Sequence, residues 1–146
     1  MTETFKAYLA GFIDGEGCIK ISSIKGFLKK TNKYKKYYTV RLTIINTDKE
    51  LLDYIKNEVG YGCMYSHGKG KSHHRQCYTY EVAAKQCVKL LKEVLPFLIS
   101  KQEQAILAID FHKDLDRRQG LNEEEIKYRE DIMQKIKSLK RIECHL

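Results

Sequence analysis

The chain has 146 residues, 42% of them hydrophobic, enough for one well-filled core and short for two. Lys and Arg number 27 against 19 Asp and Glu, giving a net charge of +8 and a pI near 9.2, so a polyanionic partner is expected, nucleic acid being the commonest. No stretch approaches the roughly 18 apolar residues of a membrane span, the N-terminus lacks the basic-then-apolar pattern of a secretory signal, and the five cysteines (Cys18, Cys63, Cys77, Cys87, Cys144) are odd in number with no CxxC pair. Membrane and disulfide-stapled secreted classes are thereby set aside, and an intracellular protein with reduced thiols and one domain over residues 1–146 is expected.

The first predicted element is a helix starting near Thr4 and carrying Leu9-Ala10-Gly11-Phe12-Ile13-Asp14-Gly15-Glu16-Gly17. Ala7, Gly11 and Gly15 fall at i, i+4 and i+8, one stripe of small residues that lets another backbone approach closely. Each interior glycine costs roughly 1 kcal/mol against alanine, so the stripe suggests a tight helix crossing, with a second copy of the chain as one source of the partner helix. Asp14 and Glu16 sit where this helix should end, and Gly15 and Gly17 permit a turn out of it. Acids at a helix C-terminus face the unfavourable end of the macrodipole. A hard cation such as Mg2+, which prefers carboxylates and carbonyls, would supply what is missing; the competing reading is a helix that stops in solvent.

Cys18-Ile19-Lys20-Ile21-Ser22 and Tyr37 to Ile44 both alternate with period two, which puts Ile19, Ile21, Tyr38, Val40, Leu42 and Ile44 inside and polar or basic side chains outside. They read as a long hairpin whose connection, residues 25–36, is strongly basic, and no acid occurs from Gly17 to Thr47. Thr47-Asp48-Lys49-Glu50 reads as a capping box opening a helix that ends at Gly60. Residues 61–66 and 77–82 form a second predicted hairpin, joined by the acid-free connection 67–75. Two hairpins, each preceded by a helix, make an αββαββ repeat. A helix over 83–95 is broken by Pro96. Ser100 to Glu103 is a second capping box, for a helix burying Ala105, Ile106, Ala108 and Ile109. Asn122 caps a last helix with Glu123, Glu124 and Glu125 in its first turn and Ile126, Ile132, Met133, Ile136 and Leu139 on its inner side. Cys63, His67, His73, His74 and Cys77 offer zinc-ligating atoms on one hairpin but lack the tight pairs usual in zinc sites.

LAGFIDGEG resembles the signature of the LAGLIDADG homing endonucleases, and it occurs once, as in the single-motif, homodimeric branch of that family. The resemblance covers roughly residues 5–109. It implies an α+β fold: an αββαββα core with a saddle-shaped four-stranded antiparallel sheet over DNA, plus C-terminal support helices. The implied activity is hydrolysis of both strands of a long pseudo-palindromic duplex by a homodimer, dependent on Mg2+ or another divalent cation such as Mn2+ and promoting spread of the encoding intron. A splicing maturase, with intron RNA as partner, or a non-cleaving DNA-binding regulator on the same scaffold is the alternative.

By the same resemblance Glu16 is the metal ligand, the Gly15 carbonyl a further metal contact, and Asp14 structural. Lys101, at the end of Leu95-Pro96-Phe97-Leu98-Ile99-Ser100-Lys101, becomes the charge-stabilising candidate. Asn46, standing where the family often has glutamine, would orient a water, and Lys49 is a weaker pocket candidate; for either, a surface or capping role competes. Ala7, Gly11 and Gly15 become the dimer contact. Outward alternation nominates Lys20, Ser22, Tyr37, Thr39, Arg41, Thr43, Tyr65, His67, Gln76 and Tyr78 for base contacts, with a buried sheet-supporting role as the alternative for Tyr78. Lys29, Lys30, Lys33, Lys35, Lys36, Lys69, Lys71 and Arg75, in the two basic connections, are nominated for phosphates.

Overall fold

The computed structural model describes residues 1–66, 76–117 and 123–143. The element order is α1 (Glu3–Glu16), β1 (Gly17–Leu28), β2 (Lys33–Asn46), α2 (Lys49–Val59), β3 (Cys63–Ser66), β4 (Tyr78–Ala83), α3 (Ala84–Val94), a 3-10 turn (Leu95–Phe97), α4 (Gln102–Arg117) and α5 (Glu123–Glu143). The four strands form one antiparallel sheet in the order β1-β2-β4-β3. This is the α+β, αββαββα arrangement expected from the sequence.

Period-two alternation fixes which face is covered. Ile19, Ile21, Val40, Leu42, Ile44, Tyr80 and Val82 are buried, and the register sets Leu42 opposite both Ile19 and Val82. On that face α1, α3 and α4 contact β2, and α4 and α5 contact β1. Leu9, Ala10 and Ile13 of α1, Leu52 and Ile55 of α2, and Leu90, Leu91 and Val94 of α3 complete the core. On the opposite face Ile24, Tyr37, Ile45 and Tyr65 are exposed, while Thr43 and Thr79 are buried.

Helix α1 begins under Thr2, whose hydroxyl accepts from Phe5 N at 3.2 Å, and passes directly into β1. Its C-cap, Gly17, is extended rather than left-handed (φ −77°, ψ 151°). Glycine is required there for room: a Cβ would lie 2.7 Å from the Ile13 carbonyl oxygen. Gly60, by contrast, closes α2 in the left-handed conformation (φ 84°).

Several expectations are corrected. Asp48, not Thr47, caps α2, because Asn46 Oδ1 accepts from Asp48 N at 2.9 Å and the resulting turn aims Asp48 Oδ1 at Leu51 N, 3.0 Å away. The basic connection 25–36 is mostly strand: pairing continues through Lys25↔Lys36 and Phe27↔Tyr34 to Leu28↔Lys33, and the Phe27 and Tyr34 rings meet at 5.2 Å. β3 starts at Cys63 rather than residue 61 because Gly62 takes φ 100°. Ile106 is 44% exposed; the buried side of α4 is Gln104, Ala105, Ala108, Ile109 and Phe111. Asn122 falls outside the described residues.

Helix α5 buries Ile136 and, beside it, Arg129, which stacks 5.7 Å from the centroid of the buried Tyr38 ring. Lys36 lies over the same ring at 5.6 Å and donates to Glu130 of α5. That contact raises the Lys36 ammonium and lowers the Glu130 carboxyl from their ordinary pKa values. The far end of the β1–β2 ribbon is thus fastened to α5.

Candidate functional site

The last turn of α1 is where the sequence concentrates its chemistry. A helix end leaves carbonyls without intrahelical donors, and α1 has no basic residue in its own last turn. The chain supplies both from elsewhere. Gly17 N donates to the Ile13 carbonyl. Lys101 Nζ donates to the Asp14 carbonyl, which places an ammonium at the negative end of the helix dipole. Lys101 is only 7% exposed. Its burial at this helix end explains what holds a cation at the N-terminal side of α4, where the dipole alone disfavours it.

Asp14 builds this arrangement. Its carboxylate accepts from Ile99 N at 2.8 Å, from the Ser100 hydroxyl at 3.1 Å and from Lys101 N at 3.0 Å. The expected Ser100 capping box is therefore replaced: the Ser100 hydroxyl turns to Asp14, and the chain enters α4 through Lys101 O accepting from Ala105 N at 3.0 Å. Both Asp14 carboxylate oxygens are engaged by the 99–101 segment. Asp14→Ala should lower unfolding stability by about 2 kcal/mol through the loss of these charge-assisted bonds and release the 99–101 segment; urea denaturation and amide exchange at Ile99 and Lys101 measure it. Unchanged stability and protection would contradict the bonding described.

Glu16 is the final residue of α1 and is exposed. Gly15, also exposed, contributes a main-chain carbonyl one residue before it, with no helical residue four positions on to donate to it. A carboxylate and a carbonyl without a helical donor at the negative end of a helix form an all-oxygen, electron-rich set that fits a hard divalent cation. Among the described residues no cluster of three or more His, Cys, Asp or Glu side chains forms a metal site, so such a cation would depend on this small set plus oxygens from water or a partner molecule. His67, His73 and His74 of the possible zinc cluster fall outside the described residues.

The remaining pocket candidates lie where β2 gives way to α2, Asn46 ending the strand and Lys49 opening the helix. Asn46 uses Oδ1 in the turn before α2. Lys49 is exposed and donates to Asp53 at 2.6 Å, an i,i+4 pair that raises its pKa. Both therefore have local partners of their own.

The solvent face of the sheet carries Lys20, Ser22, Tyr37, Thr39 and Arg41 in cross-strand pairs: Lys20↔Arg41, Ser22↔Thr39 and Ile24↔Tyr37. Tyr37 lies across Gly26, where a Cβ would come within 2.7 Å of its ring, and Lys35 Nζ stands 5.7 Å from the ring centroid. Thr43 is on this face but only 6% exposed, flanked by Cys18 and Glu81. Tyr65 is exposed on β3, and its hydrogen bond with Cys63 raises its phenol pKa. Gln76, Lys29 and Lys30 are exposed. His67, Lys69, Lys71 and Arg75 fall outside the described residues, as does the side chain of Lys33.

Two nominated residues sit elsewhere. Tyr78 pairs with Asn46 in the register that sets Tyr80 against Ile44, so it belongs to the helix-covered face and packs on the core. Lys36 shares that face, held by Glu130 and Tyr38. Conversely, Ile24 (56% exposed) and Ile45 (49%) lie on the solvent face and were not nominated; continuing the alternation past Ser22 and past Ile44 would have found them. Glu81 was missed for a different reason, since its importance depends on the pairing of β4 with β2.

The sequence profile of the LAGLIDADG endonuclease family matches residues 9–113. No curated protein matches the sequence at a significant level. Among solved structures, the homing endonuclease I-CvuI in complex with the I-CreI target, with Mg present and the DNA uncleaved, is 22% identical with a TM-score of 0.77, covering 94% of this chain and 82% of that one. The archaeal intron-encoded homing endonuclease I-Vdi141I, complexed with DNA, is 20% identical with a TM-score of 0.72 over 94% and 86% of the two chains. I-TnaI, a further homing endonuclease, is 19% identical with a TM-score of 0.67 over 93% of both. At these identities the likeness is one of fold. No helix among the described residues is long and apolar enough to cross a membrane.

Proposed function

Because this chain belongs to the LAGLIDADG endonuclease family, bearing the signature once at residues 9–17, we propose that it is a single-domain homing endonuclease that acts as a homodimer. Two copies, crossed at Ala7, Gly11 and Gly15, cut both strands of a long pseudo-palindromic DNA site and so promote spread of the encoding intron. The observation that carries this reading is the junction of α1 with β1, where an exposed acid at a helix end continues without a loop into a strand whose outward Lys20 pairs with Arg41 across the sheet. A duplex lying on that face has its backbone close to Glu16.

Phosphodiester hydrolysis needs a nucleophilic water, charge neutralisation at phosphorus and help for the leaving oxygen. A divalent cation such as Mg2+ or Mn2+ would supply these when bound. In this chain Glu16 and the Gly15 carbonyl would hold it. Lys101, fixed through Asp14, offers a buried ammonium for the charge that grows on the phosphoryl oxygens. Asn46, whose Oδ1 is committed to its turn, still has amide N–H groups to orient a water. Lys49 completes the basic end of the pocket on exchange of its Asp53 partner. Lys20, Ser22, Tyr37, Thr39, Arg41 and Tyr65 face the bases, while Lys29, Lys30 and Lys35 face phosphates.

Selection from a randomised duplex library tests the reading. In Ca2+ the chain should enrich one long, two-fold related sequence, and in Mg2+ it should cut both strands of that sequence. Affinity should fall steeply with salt, by a slope of about 0.9 in log–log terms for each phosphate neutralised. Enrichment without cutting would favour a non-cleaving regulator, and enrichment from an RNA library alone would favour a maturase.

A further inference from the structure

The four strands contain one acidic residue, Glu81. It does not sit at the margin. On the solvent face it lies opposite Thr43 on β2 and Cys63 on β3, in the middle of the surface assigned above to DNA. A polyanion-binding surface loses affinity by placing a carboxylate there, so the residue calls for a reason.

Its partner supplies one. Arg41, across the β2–β4 pairing on the diagonal, donates from Nη1 to Glu81 Oε1 at 2.5 Å, with side-chain exposures of 27% and 15%. The guanidinium is held low against the sheet, and its Nε is buried with no hydrogen-bond partner among the described residues. Nothing in core packing calls for this pair: Tyr80 and Val82, its neighbours on β4, point to the other side and fill the core. The arginine nominated for base contacts therefore carries an acceptor bound to it.

The geometry points to Glu81 as a specificity-determining residue that acts through and beside Arg41, the pair reading one G·C base pair in the major groove of each half-site. This rests on the DNA-binding reading given above. Arg41 alone would serve phosphate or guanine, since both accept its N–H groups. A carboxylate at its side repels phosphate oxygens and the O4 acceptor of thymine, while it can accept from the cytosine N4 amino group. Donor and acceptor side by side match what guanine and cytosine present across one pair. Glu81 thus gives up electrostatic affinity in return for discrimination.

The test is library selection in Ca2+ with the wild-type chain, Glu81→Gln, Arg41→Ala and the double variant, followed by salt titration on the selected duplex and on a scrambled one. Glu81→Gln keeps the shape of the side chain, and thermal melting confirms that each variant is folded. The wild-type consensus should hold a G·C pair at one position per half-site. Glu81→Gln should lose roughly tenfold in preference at that position, bind the scrambled duplex more tightly, and show a salt slope steeper by about 1. Adding Glu81→Gln to Arg41→Ala should change the selected base no further, whereas a merely structural role would give losses that add. An unchanged consensus and salt slope for folded Glu81→Gln overturns the proposal. A wild-type chain that enriches no sequence removes the DNA-binding reading itself, and this inference with it.

Discussion

Glu16→Gln should abolish strand cutting while binding of the selected duplex in Ca2+ stays within about twofold of wild type, because the proposed phosphate contacts are made elsewhere. The substitution is isosteric, and Glu16 is exposed at the end of α1 without a part in the core. What it removes is one negative charge from an oxygen set otherwise limited to the Gly15 carbonyl. Loss of a metal ligand whose effect on the transition state is several kcal/mol gives a rate lower by roughly 10³-fold or more. Stability should move the opposite way, upward by about 0.5 kcal/mol, because the acid faces the negative end of the helix dipole. A residue kept at a cost in stability and needed for rate is the signature of a site. Single-turnover cleavage in Mg2+, paired with a urea midpoint, measures both. A variant that cuts at the wild-type rate removes Glu16 from the chemistry.

The two acids of the signature were alike in the sequence, and only long-range structure separates them physically. Asp14 meets residues 99–101, more than 80 positions later, and no local pattern announces that contact. The resemblance assigned Asp14 to structure, and its bonding supplies the cause. Strand facing was legible where one face is buried, because a slip of one residue would expose Ile19, Val40 and Leu42 together. It stayed open at Tyr78, close to the end of the second hairpin's connection, where a tyrosine suits either face and only pairing with Asn46 decides for the buried alternative. It failed at Lys36: its run of basic neighbours suggested solvent, and Glu130, 94 residues away, captured it. The choice of Asp48 over Thr47 as cap turned on a hydrogen bond from Asn46, a competition between adequate caps that composition cannot rank.

The Arg41–Glu81 pair shows the same limit on the functional side. The sequence displayed an acid-free stretch from residue 17 to 47 and invited the conclusion that the outward face of the sheet is free of acids. Glu81 belongs to β4, and only the β2–β4 register carries it onto that surface. A sheet face is assembled from strands distant in sequence, so its charge pattern is a property of register before it is one of composition.

Gly11→Leu gives the second large effect, and its sign is informative. Gly11, interior to α1, and Gly15, in its last turn, are exposed and have nothing within 4 Å of where a Cβ would stand. Within one copy, then, no packing requires either glycine, and replacing Gly11 by a good helix former should stabilise the isolated fold by about 1 kcal/mol. Two helices crossing at Ala7, Gly11 and Gly15 need that empty space, and a leucine side chain fills it. The expected variant is a better-folded monomer: a higher thermal midpoint measured at low concentration, half the dimer mass by sedimentation equilibrium, and no double-strand cleavage, with binding reduced to that of one half-site. Nicking by the residual monomer should also be lost, because each copy engages too few phosphates to stay on the duplex at physiological salt. Stability and assembly thus respond in opposite directions to a single side chain, which an ordinary core defect cannot imitate. A wild-type chain that sediments as a monomer and still breaks both strands, or a Gly11→Leu chain that still dimerises, rules out α1 as the crossing and with it the two-centre cut.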